Sequence, residues 1–245
     1  MTAIVLAAGV GKRLHAASGG RPKCLIEIGG RSLLARLLAG LAASGVRDAV
    51  VVTGFGADAV ESAVAALAGG GIRVRCVQNP RYTEGAILSL FAARDVLRAG
   101  PALVMDADVL CAQAMLDRLV RSPQENCFLL DGSVAVTGEE QMLLVRGRRV
   151  HDIVRGGAPG FELSGESVGF LKLSAAAAAL LETLLARKVA AGQTGIEHEE
   201  VYPDLLARVE VGFERIDGLP WTEIDFPEDV ERAERDILPR LGGAA

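Results

Sequence analysis

Residues 1–33, MTAIVLAAGVGKRLHAASGGRPKCLIEIGGRSL, decide the fold of this 245-residue chain. An apolar run at residues 3–6 feeds a turn of small residues, Ala7-Ala8-Gly9-Val10-Gly11, which delivers Lys12 and Arg13, and Lys23 follows directly after Pro22. The pattern predicts a strand that runs into a cationic loop at the edge of a sheet. Glycines let the backbone approach a ligand and turn N–H groups toward it, while Lys and Arg neutralise phosphate charge. The loop therefore reads as a site for a nucleoside triphosphate. Two familiar phosphate motifs do not fit. A Walker A loop needs Gly-x-x-x-x-Gly-Lys-Ser/Thr, but Arg13 follows Gly11-Lys12 and position 6 is Leu6; the dinucleotide fingerprint Gly-x-Gly-x-x-Gly would need glycine where Leu14 stands. On the loop alone, a Gly-rich turn with surface cations is the alternative. The rest of the chain decides against it.

Beyond the loop, strand and helix signals alternate. Residues 24–28 read as a short strand, Gly29-Gly30 as a turn, and Ser32 as the N-cap of a helix carrying Leu33, Leu34, Leu37, Leu38 and Leu41 on its apolar face. A buried strand at 48–53, a helix at 57–68, a strand at 72–77, a helix around 88–97 and a strand at 102–105 follow. Such alternation implies parallel strands with right-handed crossovers and ligands beyond the strand carboxyl ends. The expected class is α/β, a Rossmann-like mixed, mostly parallel sheet flanked by helices. From 126 to 173 the pattern shifts to strands at 127–130, 141–145, 150–154 and 167–173, separated by Gly-rich turns. An Ala-rich helix at 174–191, a helix around 198–207, a strand near 209–216 and a closing helix begun by Pro227 complete the chain.

Asp106-Ala107-Asp108 ends the strand at 102–105. Alternate residues of a strand face opposite sides, so both carboxylates reach one ligand only if a turn intervenes. Glu223-Ile224-Asp225 stands just before Pro227. Glu228 and Asp229 fall in the first turn of the closing helix, where negative charge suits the helix dipole.

Leu6-Ala7-Ala8-Gly9-x-Gly11-x-Arg13, with Pro22-Lys23, resembles the signature of the sugar-1-phosphate nucleotidyltransferase superfamily. Within it the chain is nearest to the small cytidylyltransferases for phosphocholine, inositol phosphate and aminoethylphosphonate. The resemblance implies the nucleotide-diphospho-sugar transferase fold in a single domain: a nucleotide-binding part at 1–125, an acceptor-binding lobe with returning strands at 126–226, and a closing helix at 227–240. It implies that the loop wraps the triphosphate, that Arg13 holds the departing pyrophosphate with Lys12 assisting, and that Lys23 bridges the α-phosphate and the acceptor. Asp108 and Asp225 would bind Mg2+, with Glu223 placed to join them, and a magnesium site needs only one or two carboxylates. The base would lie against Leu6, Ala8 and Gly85, with Gln78, Asn79 and Ser89 as side-chain contacts. Asp106, Arg155, Glu166, Tyr202 and Asp204 would meet the acceptor. His151 and His198 read as solvated surface.

The implied reaction moves CMP from CTP to the phosphate or phosphonate of a small molecule and releases pyrophosphate. The Asn79-Pro80-x-Tyr82 piece resembles the cytidylyltransferases more than the long sugar pyrophosphorylases, the compact length agrees, and this resemblance implies CTP. The alternatives are a sugar-1-phosphate nucleotidyltransferase using UTP or dTTP, and a silent nucleotide-sensing subunit. One Trp, two Tyr and seven Phe are few for an aromatic cage, which argues against a trimethylammonium head group. A composition 50% hydrophobic and 23% charged suits a large core, and a net charge of −5 lacks the basic footprint that duplex nucleic acid requires. Cys24, Cys76, Cys111 and Cys127 have no zinc spacing and no disulfide framework. No run reaches membrane-spanning length, so a cytoplasmic enzyme is expected. The acceptor's identity, and whether the chain is a monomer or a homodimer, are left open.

Overall fold

Strand β1 (Thr2–Ala7) buries side chains on both faces, Ile4 toward one side of the sheet and Ala3 and Val5 toward the other. A strand apolar on both faces belongs inside a sheet covered by helices on both sides. The structure, a computed structural model, describes residues 1–14, 19–67, 69–133, 138 and 140–242. Its further strands are β2 (Glu27–Ile28), β3 (Arg31–Ser32), β4 (Asp48–Thr53), β5 (Arg73–Gln78), β6 (Ala102–Asp106), β7 (Val109–Cys111), β8 (Cys127–Asp131), β9 (Gln141–Arg146), β10 (Arg149–Arg155), β11 (Leu163–Leu173), β12 (Gly212–Arg215) and β13 (Trp221–Glu223). Nine of the described strands form one mixed sheet in the order β10-β9-β11-β6-β1-β4-β5, with β8 against β11 and β12 against β8. Strands β6, β1, β4 and β5 run parallel, so their carboxyl ends share one edge.

The helices are α1 (Leu33–Ala43), α2 (Ala57–Ala66), α3 (Ile87–Ala92), α4 (Arg94–Ala99), α5 (Gln113–Arg121), α6 (Ala175–Ala190), α7 (Tyr202–Leu206) and α8 (Pro227–Arg232). Leu34, Leu38 and Leu41 of α1, Val60 of α2 and Leu116 of α5 cover one face; Leu90, Leu97, Leu181 and Leu205 from α3, α4, α6 and α7 cover the other. The helix-flanked mixed sheet read from the sequence is therefore present. Helix α1 starts at Ser32, whose hydroxyl accepts from the Ala35 N–H, the capping role expected of it. A third apolar cluster, including Leu14, Ile28, Leu110, Ile224 and Ile237, ties the first loop and the closing helix together. Among the described residues no helix is long and apolar enough to cross a membrane.

Some local expectations change. Residues 24–28 are not one strand: a 3-10 turn at Lys23–Leu25, closed by the Leu25 N–H to the Pro22 carbonyl, precedes β2. The helix around 88–97 breaks at Ala93, whose N–H bonds to Leu90 while its carbonyl receives the Val96 N–H. The helix at 57–68 ends at Ala66, and Ala68 lies outside the described residues. The strands between 127 and 173 do not form a small sheet of their own. Strand β11 joins them to the main sheet: residues 163–166 pair with β9, residues 170–173 pair with β6, and β8 lines the same strand. The closing helix passes from α8 through a π-helical turn at Ala233–Ile237 into Leu238–Arg240.

Candidate active site

The carboxyl ends of β1 and β6 open into a cleft of about 700 Å³. Strand β6 stops at Asp106, a turn covers Ala107 and Asp108, and β7 begins at Val109. That turn sends the two carboxylates to different partners. Asp108 Oδ2 accepts from Lys23 Nζ at 2.6 Å, whereas Asp106 faces His198. Antiparallel pairing sets Glu223 of β13 opposite Val109 of β7, and the Ile224 N–H donates to the Asp108 carbonyl. Asp225 thus emerges beside Asp108. Its Oδ1 accepts from Lys23 Nζ at 2.5 Å, and Glu223 Oε1 lies 3.8 Å from the same nitrogen. Asp229, in the first turn of α8, accepts from the N–H groups of Asp225 and Phe226 and fixes the backbone there.

Burial alone would lower the pKa of the Lys23 ammonium, but Asp108, Glu223 and Asp225 outweigh it and raise the value. Glu223 is pushed up to about 8, first by desolvation and then by Asp108 and Asp225, with Lys23 opposing. Half of its side chain nevertheless stays open to the cleft. Asp108 Oδ1 is buried without a hydrogen-bond partner. Three carboxylates gathered around one ammonium, with a buried oxygen still unpaired, form an all-oxygen donor set that fits a hard divalent cation.

Leu6, Ala8, Gly9, Gly11, Lys12 and Arg13 line the cleft beside this cluster. The Arg13 guanidinium sits 5.0 Å above the centre of the Phe226 ring. Gly85 and Ser89 form the next part of the wall. A Cβ on Gly85, at φ 144°, would collide with the Thr194 carbonyl oxygen, so the close seating of residues 194–196 requires glycine there. Arg155 and Glu166 line the opposite side. Glu166 is raised to about 7 by burial first, then by Glu140 and Asp131, with Arg232 opposing.

Four expected contacts do not line the cleft. Gln78 is exposed at the end of β5, and Asn79 is buried with its amide donating to Ser89 Oγ and its oxygen accepting from the Arg81 N–H. Tyr202 is buried against Phe128 and His198, and Asp204 pairs with Lys188 at 3.2 Å. The reverse correction applies to His198. Expected at the surface, it is 5% exposed and lines the cleft together with Glu199. Its setting, Glu197-His198-Glu199-Glu200, carries the polarity of a solvated turn, so no local signal marks it as buried.

The profile described as "MobA-like NTP transferase domain" matches residues 3–192. This chain belongs to that family. The match takes in the first loop, Lys23 and Asp108, while His198, Glu199, Glu223 and Asp225 come after it. Among relatives of this MobA-like chain, the CMP-5'-(3-aminopropyl)phosphonate synthase of Streptomyces rubellomurinus is 38% identical over 126 residues, which are 50% of this chain and 19% of that protein. The bifunctional IPC transferase and DIPP synthase of Rubrobacter xylanophilus is 30% identical over 239 residues, 96% of this chain and 52% of that protein. The chain therefore spans about a fifth and about half of the length of these two relatives. The inositol-1-phosphate CTP transferase of T. maritima shares the fold, with a TM-score of 0.80 at 20% identity over 100% of this chain and 97% of that one.

Proposed function

We propose that this chain is a Mg2+-dependent cytidylyltransferase that moves CMP from CTP to the phosphate or phosphonate of a small molecule and releases pyrophosphate. The observation that carries the reading is Lys23, held between Asp108 and Asp225 beside the glycine-rich loop, in a family of NTP transferases. The relatives named above, a CMP-phosphonate synthase and an IPC transferase, support CTP and an acceptor of this kind.

An acceptor oxygen already ionised near neutral pH attacks the α-phosphorus in line. The new O–P bond forms as the bond from that phosphorus to pyrophosphate breaks, and no strong general base is required. What the chain must do is hold two mutually repelling anions together and neutralise the charge that develops on the α-phosphate and the leaving group. Lys23 serves the α-phosphate and the acceptor, and Arg13 with Lys12 serves the pyrophosphate. Asp108 and Asp225, joined by Glu223, would hold Mg2+, which when bound supplies Lewis-acid polarisation of phosphate oxygens. Backbone at Leu6, Ala8 and Gly85, with Ser89, borders the base, and Arg155 and Glu166 border the acceptor. Both sets belong to one nucleotidyltransferase domain.

Pyrophosphate release from each of the four NTPs, against phosphonates, phosphoalcohols and sugar-1-phosphates, tests this reading. CTP with a phosphonate or phosphoalcohol should turn over, and Asp108→Ala should remove that turnover. Activity confined to UTP or dTTP with a sugar-1-phosphate would make the chain a sugar nucleotidyltransferase. Nucleotide binding with no turnover on any acceptor would make it a sensing subunit.

A further inference from the structure

The cleft holds a second group of ligating side chains. Asp106 Oδ1 lies 3.9 Å from His198 Nε2, and Glu199 Oε2 lies 3.8 Å from His198 Nδ1. One donor atom from each of the three residues falls within 4.8 Å of the other two. The gaps to the imidazole are too long for hydrogen bonds. His198 is 5% exposed, yet its Nδ1 is buried with no hydrogen-bond partner. Polar atoms left in that state are costly and need a reason. The group is also seated by its surroundings. Tyr202 meets the His198 ring edge-on at 5.7 Å, and Gly169 makes room for Asp106, because a Cβ there would strike Asp106 Oδ2.

We propose that Asp106, His198 and Glu199 form a site for a borderline divalent transition-metal ion such as Zn2+, Co2+ or Mn2+, separate from the all-oxygen cluster around Lys23. An imidazole nitrogen beside a carboxylate is a donor set that such ions accept, whereas Mg2+ prefers oxygen alone. A carboxylate faces each ring nitrogen of His198. One nitrogen can therefore ligate while the other donates to a carboxylate, the arrangement that orients metal-bound histidines. An ammonium group is the rival occupant, and it has no need of that second nitrogen.

Co2+ and Zn2+ binding to the full chain without nucleotide tests the proposal independently of catalysis, by equilibrium dialysis and by the visible spectrum of bound Co2+. One ion per chain should bind in the presence of excess Mg2+. His198→Ala and Glu199→Gln should each weaken binding by about 10–100-fold, with His198→Gln as the substitute if the alanine variant does not fold. Asp225→Asn should leave the affinity unchanged. Undiminished binding in the His198 variants, or its loss in Asp225→Asn, would overturn the proposal. Stabilisation by methylammonium with no metal bound would also overturn it, in favour of an ammonium site.

Discussion

The two acidic clusters of the cleft start from one three-residue turn and differ in how much counter-charge the chain gives them. Asp108 leads to a cluster that the chain neutralises in part, through Lys23 bonded to two carboxylates and close to a third. Asp106, two residues earlier, leads to a cluster whose imidazole has a buried nitrogen without a partner. A site that supplies one cation of its own has part of its charge balanced before any ligand arrives, and that cation is already in place to meet phosphate. A site that lacks one stays open to an ion from solution.

Breaking the first cluster should have the largest effect. Lys23→Ala removes the shared counter-charge of three carboxylates, and we expect turnover to fall by about 10²–10³-fold, as for loss of a key charge-stabilising donor. The melting temperature should fall in metal-free buffer and recover in part with Mg2+, because the ion replaces the lost positive charge. Gly85→Ala strikes the second cluster instead. Ile87 N–H donates to the Ile196 carbonyl at 3.1 Å, so a Cβ that displaces Thr194 moves the segment carrying His198 and Glu199. We expect a loss of about 1–3 kcal/mol in denaturant unfolding, the range for overpacking a close contact. A variant as stable as wild type would show that this wall is loosely seated.

Glu166 tests the opposite wall by its pH dependence. With a folded pKa of about 7, above the ordinary carboxyl value of 4.5, the folded state retains a proton that the unfolded state releases across that window. Its stabilising contribution is therefore complete below about 4.5 and is lost as pH rises through about 7. Glu166→Gln should flatten that decline and leave the variant more heat-stable than wild type above neutral pH; melting curves across the range would read it. The smallest effect is expected of Phe226→Ala, which removes the platform under Arg13. A cation–π contact at an exposed site is worth about 0.5–1 kcal/mol, so KM for CTP should rise about 2–5-fold with kcat unchanged.

The parallel half of the fold was legible because its signals are local. Residues 1–13 carry strand, turn and cations in one run, and Ser32 announces α1 through a cap that needs no distant partner. Asp108, Lys23 and Asp225 were singled out through motif resemblance, and their meeting depends on the β13–β7 ladder, which periodicity alone does not reveal. Where packing across the chain decides the outcome, the sequence is mute. The break at Ala93 has neither glycine nor proline to mark it, and the acidic residues beside His198 conceal its burial against Tyr202. Tyr202 and Asp204 sit only a few residues from Glu199, but a helical turn directs one into the core and the other to Lys188.

Strand β11 has a mechanical consequence. It is bonded at one end to β9 and at the other to β6, so the parallel and antiparallel halves share a continuous spine. Swinging them apart about a hinge would tear rungs from that ladder. Opening of the cleft is therefore expected at its rim, while the plate beneath keeps its shape.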